Sequence, residues 1–190
     1  MSVVNLTEIY EKNKDFVAEV SRRSGEDLTK CYQCGKCSAG CPAAMAMDYR
    51  PNRIIRMLQL GFKEELLNSK AIWVCATCST CTTRCPKNVD LEKIIDTLRI
   101  MSYELGMTDN VKNEVGFHNV FNNSMKRWGR VYELGIVMGL KMNTGDLLDD
   151  AELGLPMFTK GKLKILPPRV KGAKEIKRIA EAIERLEGKS

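Results

Sequence analysis

Residues 31–42 read C-Y-Q-C-G-K-C-S-A-G-C-P, and residues 75–86 read C-A-T-C-S-T-C-T-T-R-C-P. Cys31, Cys34, Cys37 and Cys41 recur as Cys75, Cys78, Cys81 and Cys85, each 44 positions later, and Pro42 recurs as Pro86. These are all 8 cysteines of the 190-residue chain. A repeat at that period predicts two related half-sites packed about an approximate twofold axis. Each run is C-x2-C-x2-C-x3-C-P, the spacing of bacterial ferredoxins, in which the fourth cysteine ligates the other cluster when two are present. A short loop can wrap three corners of an iron–sulfur cube, while the fourth corner faces away and takes its ligand from elsewhere. The rule assigns Cys31, Cys34, Cys37 and Cys85 to one 4Fe-4S cluster, and Cys75, Cys78, Cys81 and Cys41 to a second.

Soft thiolates also bind zinc, so the rival chemistry is a pair of four-cysteine zinc sites stabilising an interaction module. Zinc sites usually use two separated C-x2-C pairs. The third cysteine at the same short interval and the C-P three residues beyond it favour iron–sulfur. The radical-generating C-x3-C-x2-C order is absent, because Ala44 and Asn88 stand where its last cysteine would be. Two oxidised cubanes at about −2 each would bring the formal charge to roughly +2, and Lys36, Arg84 and Lys87 stand close enough in sequence to tune them. His118, the single histidine, lacks a motif and reads as structural, as do Tyr32 and Trp73 beside the cysteine loops. The chain has neither G-x-G-x-x-G nor a P-loop, so no resident nucleotide or flavin is expected and substrate chemistry belongs elsewhere.

A length of 190 residues allows one ordinary domain or two small ones. With 44% hydrophobic and 28% charged residues, wholesale disorder is excluded. No window has the apolar length of a membrane helix, and the charged N-terminus does not read as a signal peptide, which places the chain in the cytoplasm. In that compartment clustered cysteines bind metal rather than form disulfides. The net charge of +6 sits wholly in residues 160–190, which hold 10 Lys or Arg against 4 Glu. That run reads as a solvated helix face or a docking surface for an acidic protein, with no nucleic acid implied.

The fold expected is mainly α, in three parts: an N-terminal amphipathic helix over 1–24, a two-cluster domain over 25–106, and a C-terminal helical extension with a docking arm over 107–190. Asn5 and Glu8 stand at capping-box separation, and Ser24-Gly25 closes the first helix. Pro51, with Ile54, Ile55 and Leu58 on one face, opens a helix that Gly61 stops, and a short one follows at Lys63–Leu67. Leu91, Ile94, Ile95 and Leu98 have i, i+3, i+4, i+7 spacing and predict a helix that ends at Gly106 and covers the clusters. A helix beginning near Pro42 or Pro86 would aim free N–H groups at its sulfur ligands. Met125, Trp128, Tyr132 and Ile136 fit one helix loosened by Gly129, Gly135 and Gly139. Residues 143–172 read as an extended arm with a possible strand at 163–166, and residues 173–187 as a last amphipathic helix.

The two cysteine segments, together with G-R-V-Y-E-L at 129–134 and L-P-P at 166–168, resemble the C subunit of heterodisulfide reductase from methanogenic archaea, a member of the alpha-helical ferredoxin family. Related helical ferredoxin modules occur in iron–sulfur subunits of succinate dehydrogenase and anaerobic glycerol-phosphate dehydrogenase. This chain lacks the extra cysteine sets of both. The resemblance implies a non-catalytic relay component of an oxidoreductase complex. There the flavin- and cluster-bearing A subunit passes electrons on to the B subunit, which reduces the coenzyme B–coenzyme M heterodisulfide in methanogenesis. It further implies supply by a hydrogenase or formate dehydrogenase, with electron bifurcation at the flavin. The alternative within the same chemistry is the iron–sulfur component of a sulfur-metabolism or quinone-linked reductase. Only the eight cysteines carry over residue by residue.

Overall fold

The computed structural model describes residues 5–144, 156–157, 160, 166–167 and 170–186, and among them forms helices and no strand. The chain divides into two compact units, Met1–Lys112 and Asn113–Ser190. The expected arm at 143–172, with its strand at 163–166, lies for the most part outside the described residues.

Unit 1 opens with α1 (Leu6–Ser24), whose first turn is capped by Asn5 Oδ1 accepting from Glu8 N at 3.3 Å and whose end is set by Gly25 in the left-handed region. A 3₁₀ turn (Leu28–Lys30) leads into the first cysteine loop and the one-turn helix α2 (Lys36–Ala39). Then come α3 (Pro51–Gln59), α4 (Lys63–Leu67), α5 (Ala71–Val74), the second cysteine loop with α6 (Thr80–Thr83), and α7 (Leu91–Glu104).

The repeat runs further than the cysteines. Set 40 positions apart, P-N-R-I-I-R-M-L-Q of α3 aligns with L-E-K-I-I-D-T-L-R at the start of α7. The buried positions coincide: Pro51, Ile54, Ile55, Met57 and Leu58 in α3, and Leu91, Ile94, Ile95, Thr97 and Leu98 in α7. Both helices end alike. Phe62 N donates to Met57 O and Gly61 N to Leu58 O, while Met107 N donates to Ser102 O and Gly106 N to Tyr103 O, a Schellman closure with glycine at positive φ in each case. At Gly61 the glycine is needed twice over, because a Cβ there would sit 3.1 Å from the Tyr10 backbone of α1. The offset shortens from 44 to 40 because the link from Pro42 to α3 is four residues longer than that from Pro86 to α7.

The core of unit 1 forms where α7 packs against α1, α4, α5 and α6. Ile54, Leu58, Leu66, Leu67, Ile72, Ile94 and Leu98 are fully enclosed there, each worth about 1.5–3 kcal/mol of burial. The expected helices from Pro51, at Lys63–Leu67 and from Leu91 are all present. No helix begins at Pro42 or Pro86, however. Turns follow both prolines, with Ala44 N donating to Cys41 O and Asn88 N to Cys85 O, and the helices start only at Pro51 and Leu91.

Unit 2 carries α8 (Lys112–Trp128, beginning one residue before the boundary), α9 (Glu133–Thr144) and α10 (Ala173–Leu186). The single loosened helix expected from Met125 to Ile136 is two helices. Gly129 takes φ +70° and ends α8, and a Cβ there would strike Ala173 Cα at 2.8 Å, so α10 packs onto that turn. Gly139 lets α9 approach Val120 rather than loosening the helix. His118 is exposed on α8 with its ring edge-on to Phe117, in keeping with a structural reading.

Candidate iron–sulfur centres

The two cysteine loops share one backbone device. Gln33 and Thr77, and likewise Gly35 and Ser79, take positive φ at positions 44 apart, so each loop turns left-handed before and after its second cysteine. The turn at Gly35 or Ser79 then starts a one-turn helix carrying the third cysteine, Cys37 on α2 and Cys81 on α6. Three of the four left-handed positions are occupied by residues with a side chain, which costs backbone energy. That cost is met where the loop must curl around something.

Side chains from the neighbouring helices hold each loop in that shape. Ser38 Oγ accepts from Asn52 N at 2.9 Å and donates to Asn52 Oδ1, tying α2 to the first turn of α3. At the equivalent position Thr82 Oγ1 donates to Asp90 Oδ1 at 2.7 Å, and Asp90 caps α7. Gln59 Nε2 donates to Leu28 O at 2.8 Å and Cys31 O at 3.1 Å. Its counterpart Arg99 donates to Ile72 O at 2.9 Å and Cys75 O at 3.0 Å.

Asp48, which carried no motif, joins the halves. Its carboxylate accepts from Ser69 Oγ, Lys70 N and Ala71 N at 2.8–2.9 Å, fastening the segment after Cys41 to the start of α5, which delivers Cys75. Burial works against the Asp48 charge, but these donors outweigh it and hold the carboxyl below the usual range.

Two part-open pockets result. One is lined by Cys31, Cys34, Cys37 and Cys85, with Cys81, Asn52, Ile55 and Leu91 among its other walls. The other is lined by Cys75, Cys78, Cys81 and Cys41, with Pro42, Pro51, Glu92 and Ile95. Cys81 is common to both. All eight cysteines are free thiols, Cys34 and Cys78 exposed and the other six half-buried. The helices α2 and α6 pack on each other. Equivalent positions meet there: a Cβ on Gly40 would fall 2.6 Å from the Arg84 side chain, as an approximate twofold axis requires.

Burial pushes Cys37, Cys75 and Cys81 above the ordinary thiol range, against donors from Ser38, Thr77 and Thr82 respectively. Hydrogen bonding by Thr80, whose Oγ1 lies 3.3 Å from Cys78 Sγ, holds Cys78 below it. Val89 N donates to Cys85 Sγ at 3.3 Å. Coordination would remove the thiol protons outright. Four soft thiolate donors from both halves gather at each pocket, a donor set that fits a sulfide-bridged iron core. Of the three cations named from the sequence, Lys87 sits 6.0 Å above the Tyr32 ring, Arg84 lies across Gly40, and Lys36 opens α2.

Fold and thiol arrangement together define a mainly α-helical iron–sulfur protein of the two-cluster ferredoxin class, and residues 27–89 match the 4Fe-4S dicluster domain family. Over a longer stretch the chain resembles the C subunit of heterodisulfide reductase. It is 40% identical over 114 residues to the iron–sulfur C 2 subunit of the CoB–CoM heterodisulfide reductase of Methanocaldococcus jannaschii, covering 56% of this chain and 59% of that protein. It is 36% identical over 92 residues to the C subunit of the H2:CoB-CoM heterodisulfide,ferredoxin reductase of Methanothermobacter thermautotrophicus, 48% of each chain. With the iron–sulfur C subunit of the CoB–CoM heterodisulfide reductase of Methanopyrus kandleri it shares 40% identity over 95 residues, 46% of this chain and 48% of that one. The chain spans about half the length of the curated relatives it matches. No helix among the described residues is long and apolar enough to cross a membrane.

Proposed function

We propose that this chain is the electron-relay component of a cytoplasmic heterodisulfide reductase complex, taking electrons from a flavin-bearing A subunit and delivering them to a B subunit that reduces the CoB–CoM heterodisulfide. A hydrogenase or formate dehydrogenase supplies the complex. The reading rests above all on one observation: each of two adjacent cavities is lined by three cysteines of one half and the last cysteine of the other, with Cys81 in both walls. Cys31, Cys34, Cys37 and Cys85 hold the first cluster, and Cys75, Cys78, Cys81 and Cys41 the second. When bound, each cluster supplies one-electron redox capacity. The protein's own part is to fix the loops through Gln59, Arg99, Ser38 and Thr82, and to keep the two sites wall to wall. The parts are an N-terminal helix over 1–24, the two-cluster domain over 25–106 and a docking extension over 107–190. The last is supported by the apolar surface that unit 2 leaves in solvent, Ile179, Met138 and Met142 among it.

Anaerobic preparation of the full chain should yield about eight irons and eight sulfides; two zincs without sulfide would overturn the cluster assignment. Dithionite-reduced chain should be reoxidised by a purified B subunit of this kind of complex in the presence of heterodisulfide, while the chain alone leaves heterodisulfide intact. Reoxidation only by a quinone-linked or sulfur-metabolising partner would redirect the function.

A further inference from the structure

The aligned helices α3 and α7 carry neutral amides in the first half where the second half carries charges, at one pair of positions that lines the two sites and at another that binds the loops around them. Asn52 lines the first cavity and Glu92, 40 positions on, lines the second. Both side chains accept from a loop hydroxyl, Ser38 Oγ on Asn52 and Ser79 Oγ on Glu92 at 2.6 Å. Seven residues along the same face, Gln59 and Arg99 bind the backbone carbonyls of equivalent residues, Leu28 and Cys31 against Ile72 and Cys75. The scaffold's geometry is thus kept while its charge is changed. Arg56 and Asp96, also equivalent, complete the exchange: Arg56 donates to Gln59 Oε1, and Arg99 donates to Asp96 Oδ1 at 3.2 Å. In the first half the cation is exposed and one residue removed from the loop. In the second it is on the loop itself.

We infer that Arg99 and Glu92 set the reduction potential of the second centre independently of the first, Arg99 raising it and Glu92 lowering it. The inference rests on the two-cluster reading above. Reduction adds one negative charge to a site, so a fixed cation favours the reduced form and a fixed anion opposes it. The Arg99 side chain is only 18% exposed, against 52% for its partner Asp96, so solvent screens the counter-ion more than the guanidinium. Among the described residues no charged side chain lines the first cavity. Both are positioning residues that also act through their fields.

The test is a redox titration of the anaerobically prepared full chain followed by cluster-resolved EPR, with the second centre's signal identified as the one lost in Cys78→Ser. In Arg99→Gln the second centre becomes harder to reduce by about tenfold in its reduction equilibrium, about 59 mV for one electron, with the first unmoved. Glu92→Gln shifts the second centre the opposite way, and Gln59→Arg makes the first centre easier to reduce. Arg99→Lys keeps the charge and loses the forked contact, so it retains most of the wild-type potential. Equal movement of both centres, no movement in either Glu92→Gln or Gln59→Arg, or an Arg99→Lys shift as large as that of Arg99→Gln would overturn the inference. If Arg99→Gln fails to assemble, Glu92→Gln and Gln59→Arg decide. A wild-type chain without eight irons would instead strike at the cluster reading itself.

Discussion

The two units handle their apolar residues in opposite ways. Nearly all the buried hydrophobic side chains among the described residues fall in Met1–Lys112, from Phe16 to Val111. Among the described residues of Asn113–Ser190 Val115 and Ile136 alone reach that state, while α10 keeps Ile179 and Ile183 half exposed and α9 shows Val137, Met138 and Met142 to solvent. The C-terminal unit is tied by interactions such as the exposed Lys126–Glu184 ion pair and by close helix approach at Gly129 and Gly139. The contrast places the well-packed core in the cysteine-bearing unit. On the function proposed above, the apolar surface of the other serves docking.

The sharpest way to break this contrast is Cys41→Ser. If the halves are stitched by exchanged ligands, iron content falls from about eight to about four, and the EPR signal lost belongs to Cys75, Cys78 and Cys81 rather than to the neighbours of Cys41 in sequence. Next, Leu58→Ala or Leu98→Ala in the enclosed core should cost about 2–5 kcal/mol in anaerobic denaturant unfolding. Asp48→Asn should cost about 1 kcal/mol at neutral pH, a figure already reduced for the solvent near the carboxylate. Because folding lowers the Asp48 pKa, its contribution is present above the ordinary carboxylate range and fades as pH falls through the folded value. The wild-type advantage over Asp48→Asn should therefore shrink in acid, and an advantage that grew would refute the capping role. Gly40→Ala should cost less than about 1 kcal/mol, since the obstructing Arg84 is long and can swing aside. Combining it with Arg84→Ala should erase the penalty in a double-mutant cycle. Smallest of all, Ile183→Ala should change stability by no more than about 0.5 kcal/mol, in contrast with the Leu58 result.

Much of unit 1 was legible because its signals are local. Cysteine spacing is a property of one loop, and Leu91, Ile94, Ile95 and Leu98 announce α7 by period alone. Asp48 was not legible, since its partners lie 21 to 23 residues away and a lone acid after a cysteine loop looks like any surface residue. The α3–α7 repeat could have been found: I-I-x-x-L stands in both helices. The shorter second linker breaks the 44-residue register that the cysteines advertise. The one-turn helices α2, α5 and α6 are too short for any period to declare, being held by contacts with other elements: Ser38 with Asn52, Ala71 with Asp48 and Thr82 with Asp90. In unit 2 the glycines were read as weakness, whereas Val120 and Ala173 make them points of contact.

The meeting of Gly40 with Arg84 bears on how such a molecule can exist at all. Were the halves separate, identical chains forming a homodimer, one residue type would have to face itself across the axis: two glycines leaving a hole, or two guanidiniums in mutual repulsion. Joining both copies in a single polypeptide removes that compulsion, and the same freedom is what lets Gln59 and Arg99 differ.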